Sequence, residues 1–474
     1  MRVVIIGGSH AGIACALRAR EEYPDAEIVL YEKQDTIGFV AQSIPLFLLG
    51  VPDFLRLRGY TNAETLEAQG IVVRTETVVR SVSTAAKEIR FMPRGGEKVE
   101  TDRYDKLVLA TGSYPSIPLA AGEFHDQLLV VKNYDDAVRI KDLTKTASSI
   151  IVIGGGAIGV EIARVMILKG IKTILLQAAP TLLNRYLDDD VATEVRTSLE
   201  HEGLEVHTSS LVVNIQEETR DGRQVTVVTT KDGHTYTADG VIYATGFRPN
   251  TVLLGSQVTL GHKGAVVVDD YMQTSVPDVF AVGDCSTTHV THIAEPVYVP
   301  HASDALRKGQ IAAVNLTGPK RKLNTSQGTY NLNFGEQTLC VTGLSLKRAR
   351  HEGYDAQVAS YQNDYVASEK YYKMWMVYER GTHKILGIQV RGTAREIASY
   401  ADIASLAIEQ GMTIEDLEYS DFYFKHGYRD PHTSSMILAD IIRTQDPVRV
   451  QEPVREQEPA HVPTPVRVQV PARG

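Results

Sequence analysis

The chain has 474 residues, 43% hydrophobic and 23% charged, with a formal net charge of −9; this is the make-up of a globular enzyme long enough for about three domains of ~100–200 residues. The acidic balance argues against a nucleic-acid partner, and no run approaches the roughly 20 apolar residues that cross a bilayer. Three scattered cysteines, Cys15, Cys285 and Cys340, exclude a disulfide framework, a Cys-x-x-Cys pair and a thiolate metal cluster, so the expected partners are small molecules, with no metal and no membrane.

The opening run MRVVIIGG enters a strand without a cleavable signal, from which a cytoplasmic protein is expected. Residues 3–6 (VVII) predict a buried parallel strand, 11–22 a helix and 27–31 (EIVLY) a second strand, which together form a βαβ unit. The same order returns at 150–153 (IIVI), 157–169 and 172–176 (KTILL), so the chain carries two nucleotide-binding halves. From about 325 the pattern changes to strand-like runs at 371–378 (YYKMWMVY) and 385–391 (ILGIQVR) and a helical one at 395–410. The expected fold class is α/β, two Rossmann-type dinucleotide-binding domains plus a C-terminal α+β dimerisation domain. The first domain is expected to be discontinuous (1–115 and 247–324), the second to span 116–246 and the third 325–444. Residues 445–474 are rich in Pro, Val, Arg, Gln and Glu without periodicity, and predict a disordered tail.

The first glycine turn reads Gly7-Gly8-Ser9-His10-Ala11-Gly12 between a strand and a helix, where free N–H groups and the helix dipole can face a pyrophosphate. Glu32 closes the second strand where a carboxylate can accept from a ribose; Lys33 beside it joins the candidates. The second turn, Gly154-Gly155-Gly156-Ala157-Ile158-Gly159, fits G-x-G-x-x-G completely. Its strand ends in Gln177 instead of the Asp or Glu that repels a 2′-phosphate; NADH is therefore expected, with NADPH possible. Ala110-Thr111-Gly112 and Ala244-Thr245-Gly246 end two further strands, and Gly283-Asp284 ends a third, where Asp284 can meet ribityl hydroxyls of a flavin.

These motifs, GGSHAG with Glu32, LATGSYP, IGGGAIGVEIA, NRYLDDD, ATGFRPN, TSVPDVFAVGDC and MTIEDLEYSDF, resemble the pyridine nucleotide-disulfide oxidoreductase superfamily over roughly residues 1–440, in particular its NADH oxidase, NADH peroxidase and coenzyme A-disulfide reductase branch. The resemblance implies FAD on the first unit, NAD(P)H on the second and a homodimer formed through the C-terminal domain. In that branch a single redox cysteine follows a pattern like F-x-S-C-G-I-x-L-Y-L. Here the stretch is Phe39-Val40-Ala41-Gln42-Ser43-Ile44-Pro45-Leu46-Phe47-Leu48. Gln42 stands in the cysteine's place, with Ser43 beside it, and an amide can form neither a thiolate nor a sulfenic acid.

His10 holds the position of the branch's histidine near that cysteine, as an acid-base candidate with Gln42 or as a packing residue. Glu161 is placed near the nicotinamide by the resemblance, or on a solvated helix face. His301 is the counterpart of a substrate-contacting histidine in coenzyme A-disulfide reductases. The three cysteines are expected to be structural. The run Lys425 to His432 (KHGYRDPH) matches no zinc spacing and is expected to be an interface loop next to the partner's flavin. The expected reaction is hydride transfer from NAD(P)H to FAD, then electron transfer to a non-thiol acceptor, oxygen first, giving hydrogen peroxide. A dehydrogenase using a quinone or protein acceptor and a non-catalytic redox sensor are the alternatives.

Overall fold

The computed structural model describes residues 1–51, 61–117, 128–220, 222–334, 337–363, 371–393, 397–423 and 432–447. Its first sheet is parallel, with strands in the order Val279–Ala281, Lys106–Leu109, Arg2–Ile6, Glu27–Tyr31 and Val72–Arg74. Val4 pairs with Val29 on one side and Leu107 on the other. Val3, Val4 and Ile5 are wholly buried, as continuous apolar runs must be when helices cover both faces of a parallel sheet. The helices His10–Glu22 and Ala302–Val314 cross on one face. They meet at Gly309, where a Cβ would lie 2.2 Å from the Ala11 carbonyl oxygen.

The second sheet repeats this plan with Glu205–His207, Lys172–Leu176, Ser149–Ile153, Gly240–Tyr243 and Leu129–Val130, all parallel. Each unit also carries a three-stranded antiparallel meander, Thr77 to Arg103 in the first and Val212 to Ala238 in the second. The chain leaves and re-enters the first unit through Ser113–Pro115 and Phe247–Pro249, which pair antiparallel, Pro115 opposite Phe247. The predicted elements fall within one or two residues of those observed: His10–Glu22 for 11–22, Ala157–Leu168 for 157–169, Tyr372–Glu379 for 371–378, Ile397–Glu409 for 395–410.

The C-terminal sheet is antiparallel, ordered Tyr330–Phe334, Gln337–Gly343, Ile385–Gly392, Tyr372–Glu379, Ala356–Asn363. Strand alternation sends Cys340, Met374, Met376 and Ile388 against the helices Ile397–Glu409 and Ser434–Gln445, and Leu339, Val341 and Trp375 into the core of the second nucleotide unit. The last helix runs to Gln445, and Asp446 accepts from the Gly381 N–H at 2.7 Å. Ordered backbone therefore continues past the point where an irregular tail was predicted; 448–474 lie outside the described residues. Among those described, no helix is long and apolar enough to cross a membrane.

One polar cluster ties the second unit to the C-terminal sheet. Asp188 precedes the helix Asp189–His201 without capping it. Its carboxylate instead accepts from Gln389 Nε2 at 2.6 Å and from the Leu346 and Lys347 N–H groups at 3.1 and 3.3 Å, while its own N–H donates to Gln389 Oε1 at 3.0 Å. Glu194 on the same helix pairs with Lys373 and Arg391. Asp188→Ala is expected to cost about 1–3 kcal/mol, because donors at a buried junction lose a charged acceptor. Denaturant unfolding of the flavin-loaded protein checks this, and an unchanged midpoint would contradict it.

Candidate active site

The strand Arg2–Ile6 delivers the chain to Gly7 at φ 115°, where a Cβ would lie 2.2 Å from the Ala110 carbonyl oxygen. Only glycine lets the turn pass so close to the neighbouring strand. The first helical bond runs from Ile13 N to Ser9 O, so the helix opens with its positive end at the turn, the arrangement that suits an anion. Glu32 Oε2 accepts from Gly8 N at 2.7 Å and Oε1 from Gln34 N at 2.9 Å. Each carboxylate oxygen keeps a lone pair for a ribose hydroxyl.

The second turn has the same construction. Gly154 lies at φ 109°, where a Cβ would lie 2.5 Å from the Ala244 carbonyl oxygen, and Gln177 Oε1 accepts from Gly155 N at 3.0 Å. The Gln177 amide nitrogen donates to Thr181 O at 3.2 Å. Gln177 thus repeats the Glu32 contact with one negative charge fewer. The third glycines act elsewhere. A Cβ on Gly12 or Gly159 would meet the Gly7 or Gly154 carbonyl oxygen at 1.9 or 1.8 Å, so these two seat helix on strand and, with buried Ser43, do not line the cavity.

That cavity measures about 890 Å³ and runs between both turns. It brings together Gly7, Gly8, Ser9, His10, Ala11, Glu32, Lys33, Gln42, Ala110, Thr111 and Gly112 from the first half of the chain. Gly154, Gly156, Ala157, Ile158, Glu161, Gln177, Gly246, Gly283, Asp284 and His301 complete the predicted set in its wall. Gly112, Gly156 and Gly246 have nothing within 4 Å of an added Cβ, so their backbones border open space. Ser113 Oγ donates to Asp284 Oδ2 at 2.7 Å, and Lys132 Nζ donates to Ser113 Oγ at 2.8 Å, 3.7 Å from Asp284 and 4.4 Å from the Phe247 ring centroid. Burial draws the Lys132 ammonium below its usual range, opposed by Asp284. Lys132 was missed from the sequence because its partner is about 150 residues away.

Tyr186, His301 and Tyr330 converge from three parts of the chain. Tyr186 stacks on Tyr330 at 5.2 Å and on His301 at 6.2 Å. Burial lowers the titration of both His10 and His301, which favours the neutral ring, and it raises the Tyr186 and Tyr330 phenols. Burial also pushes the Glu161 carboxyl up to about 7; the solvated helix face considered for it is not where it lies.

All three cysteines are buried. Burial pushes Cys15 up to about 12 and Cys340 up to about 11, and the Cys285 thiol donates to the Leu109 and Val282 carbonyls, both at 3.2 Å. None lines the cavity, whereas Gln42 does. Among the described residues no cluster could hold a metal ion. Of the 425–432 run only His432 is described.

The open glycine backbones, two helix N-termini and the Asp284 carboxylate suit one flavin and one nicotinamide dinucleotide. The pyridine nucleotide-disulphide oxidoreductase family matches residues 1–309, and that family's dimerisation domain matches 332–424. An NADH oxidase of Enterococcus faecalis is 33% identical over 445 residues, 93% of this chain and 98% of that protein. The water-forming NADH oxidase from Lactobacillus brevis, solved bound to NADH, superposes with a TM-score of 0.89 at 29% identity, covering 94% of this chain and 98% of that one. An engineered water-forming NADPH oxidase bound to NADPH gives a TM-score of 0.88 at 28% identity, covering 94% and 99%.

Gln177→Glu, which recreates the Glu32 contact in the second unit, is expected to raise the NADH/NADPH ratio of kcat/KM roughly tenfold by repelling the 2′-phosphate. Steady-state kinetics with both nucleotides checks it, and an unchanged ratio would place discrimination elsewhere.

Proposed function

The chain belongs to the pyridine nucleotide-disulphide oxidoreductase family, and from that premise we propose an NAD(P)H oxidase that returns both electrons to oxygen as hydrogen peroxide. Family and relatives make it an FAD-dependent NAD(P)H oxidoreductase. The observation that carries the peroxide reading is Gln42: a carboxamide in the cavity wall where the branch keeps its redox cysteine, with every cysteine buried elsewhere. The relatives named water-forming carry oxygen on to water. Without a thiolate that can form a sulfenic acid, peroxide has no nucleophile to meet here, and the sum is NAD(P)H + H⁺ + O2 → NAD(P)⁺ + H2O2.

When bound, FAD supplies the acceptor for hydride and the donor of two electrons. The residues bind and orient. The first turn and Glu32 hold the flavin nucleotide's pyrophosphate and ribose, with Lys33 at the rim. Asp284, fixed by Ser113 and Lys132, meets the ribityl hydroxyls. The second turn and Gln177 hold the nicotinamide nucleotide. Ala110, Thr111, Gly112 and Gly246 let backbone approach the rings, while His10 and His301, favoured in the neutral form, present ring N–H groups.

We divide the chain at 115/116, 246/247 and 324/325, with each glycine turn in its own domain and the antiparallel sheet in the third. The protein works as a cytoplasmic homodimer. Its C-terminal domain matches a dimerisation domain and exposes Leu406 (61%), Tyr419 (81%) and Tyr423 (61%), apolar surface that a partner would cover.

Oxidation of NADH in air is expected to yield close to one peroxide per nucleotide in the native protein, and added peroxide should not act as acceptor. Gln42→Cys is expected to lower that yield by giving peroxide a thiolate. Peroxide is measured against NADH consumed, with catalase as control; native turnover without detectable peroxide would overturn the reading.

A further inference from the structure

Glu161 lies one helical turn beyond Ala157 on the helix Ala157–Leu168, with its carboxyl in the cavity wall. The helix packs against the C-terminal strand Tyr330–Phe334. Tyr330 is the titratable group that faces Glu161 from that strand, and the carboxylate's charge helps raise its phenol. Behind Tyr330 stand Tyr186, at 5.2 Å between ring centroids, and His301, at 5.7 Å. No lysine, arginine or histidine among the described residues pairs with Glu161, and burial alone sets its titration near 7. A carboxyl withdrawn from water without a counter-charge keeps its proton.

Several other protic groups in the wall are poorly suited to give up a proton. Gln42 has no acidic one. Burial favours the neutral ring in His10 and His301, and the Tyr186, Tyr298 and Tyr330 phenols are raised by burial. The Lys132 ammonium is engaged by Ser113 and Asp284. We propose that Glu161 is the acid that gives oxygen its second proton as peroxide forms, an inference that rests on the oxidase reading above. Oxygen gains two electrons and two protons: the hydride brings both electrons and one proton, Glu161 gives the other, and solvent reprotonates the carboxylate.

The sign of the pH dependence follows. The acid is present below its folded titration point of about 7 and is lost above it. Reoxidation of the reduced flavin by oxygen should therefore slow as pH rises through 7. Two measurements are combined, stopped-flow of each half-reaction across pH and infrared difference spectra of the carboxyl stretch in flavin-free protein. Glu161→Gln is expected to slow reoxidation roughly 10- to 100-fold and flatten its pH profile, a larger loss than in anaerobic reduction by NADH. Glu161→Asp should keep the pH-dependent limb. A protonated-carboxyl band titrating near 7 should vanish in Glu161→Gln. Unchanged reoxidation, an equal loss in both half-reactions, or an undiminished band would overturn the proposal. A native protein whose reduced flavin ignores oxygen would remove the oxidase reading and the proposal together, whereas an intact native reaction with an unaffected variant removes the proposal alone.

Discussion

The two nucleotide sites depend on one contact made twice: the side chain that ends the second strand of each unit accepts the N–H of the second glycine in the turn. Glu32 does so at 2.7 Å and Gln177 at 3.0 Å. The bond pins the turn to the strand, and the turn's course next to the Ala110 and Ala244 carbonyls leaves no room for a Cβ. Both helices then open with their positive ends at the turns. Because the scaffold is the same, replacing a carboxylate by an amide at Gln177 changes charge without changing shape. Cofactor preference can therefore drift on this scaffold while the fold stays fixed.

Much of this architecture was legible in the residues. VVII, EIVLY, IIVI and KTILL are continuous apolar runs beside glycine turns, a combination that few other folds need, and each became a parallel strand. Less was legible of the site. Lys132 and Asp284 are joined by the tertiary fold and lie far apart in the chain. Tyr186 stood inside a motif with no role attached, and it stacks on Tyr330, which lies 144 residues further along the chain. Glu161 lies on a helix that packs against the strand Tyr330–Phe334, a tertiary contact that sequence periodicity on the helix itself does not reveal. The two third glycines were counted with the ligand-facing residues because the motif contains them; sterics assign them to helix–strand packing.

The proposed chemistry turns on the residue at one position, Gln42, in the cavity wall. The helix Ile44–Leu48 that follows Gln42 buries Ile44 and Leu48 in the core of the second nucleotide unit, so the segment is anchored whatever residue occupies position 42. The packing holds an amide there, and the function proposed above takes the flavin as the sole two-electron store. Anaerobic titration with NADH tests that claim directly by counting the equivalents each flavin-loaded subunit consumes. One equivalent per flavin is the result expected of a single two-electron centre, and uptake of two would reveal a second redox group and contradict the account.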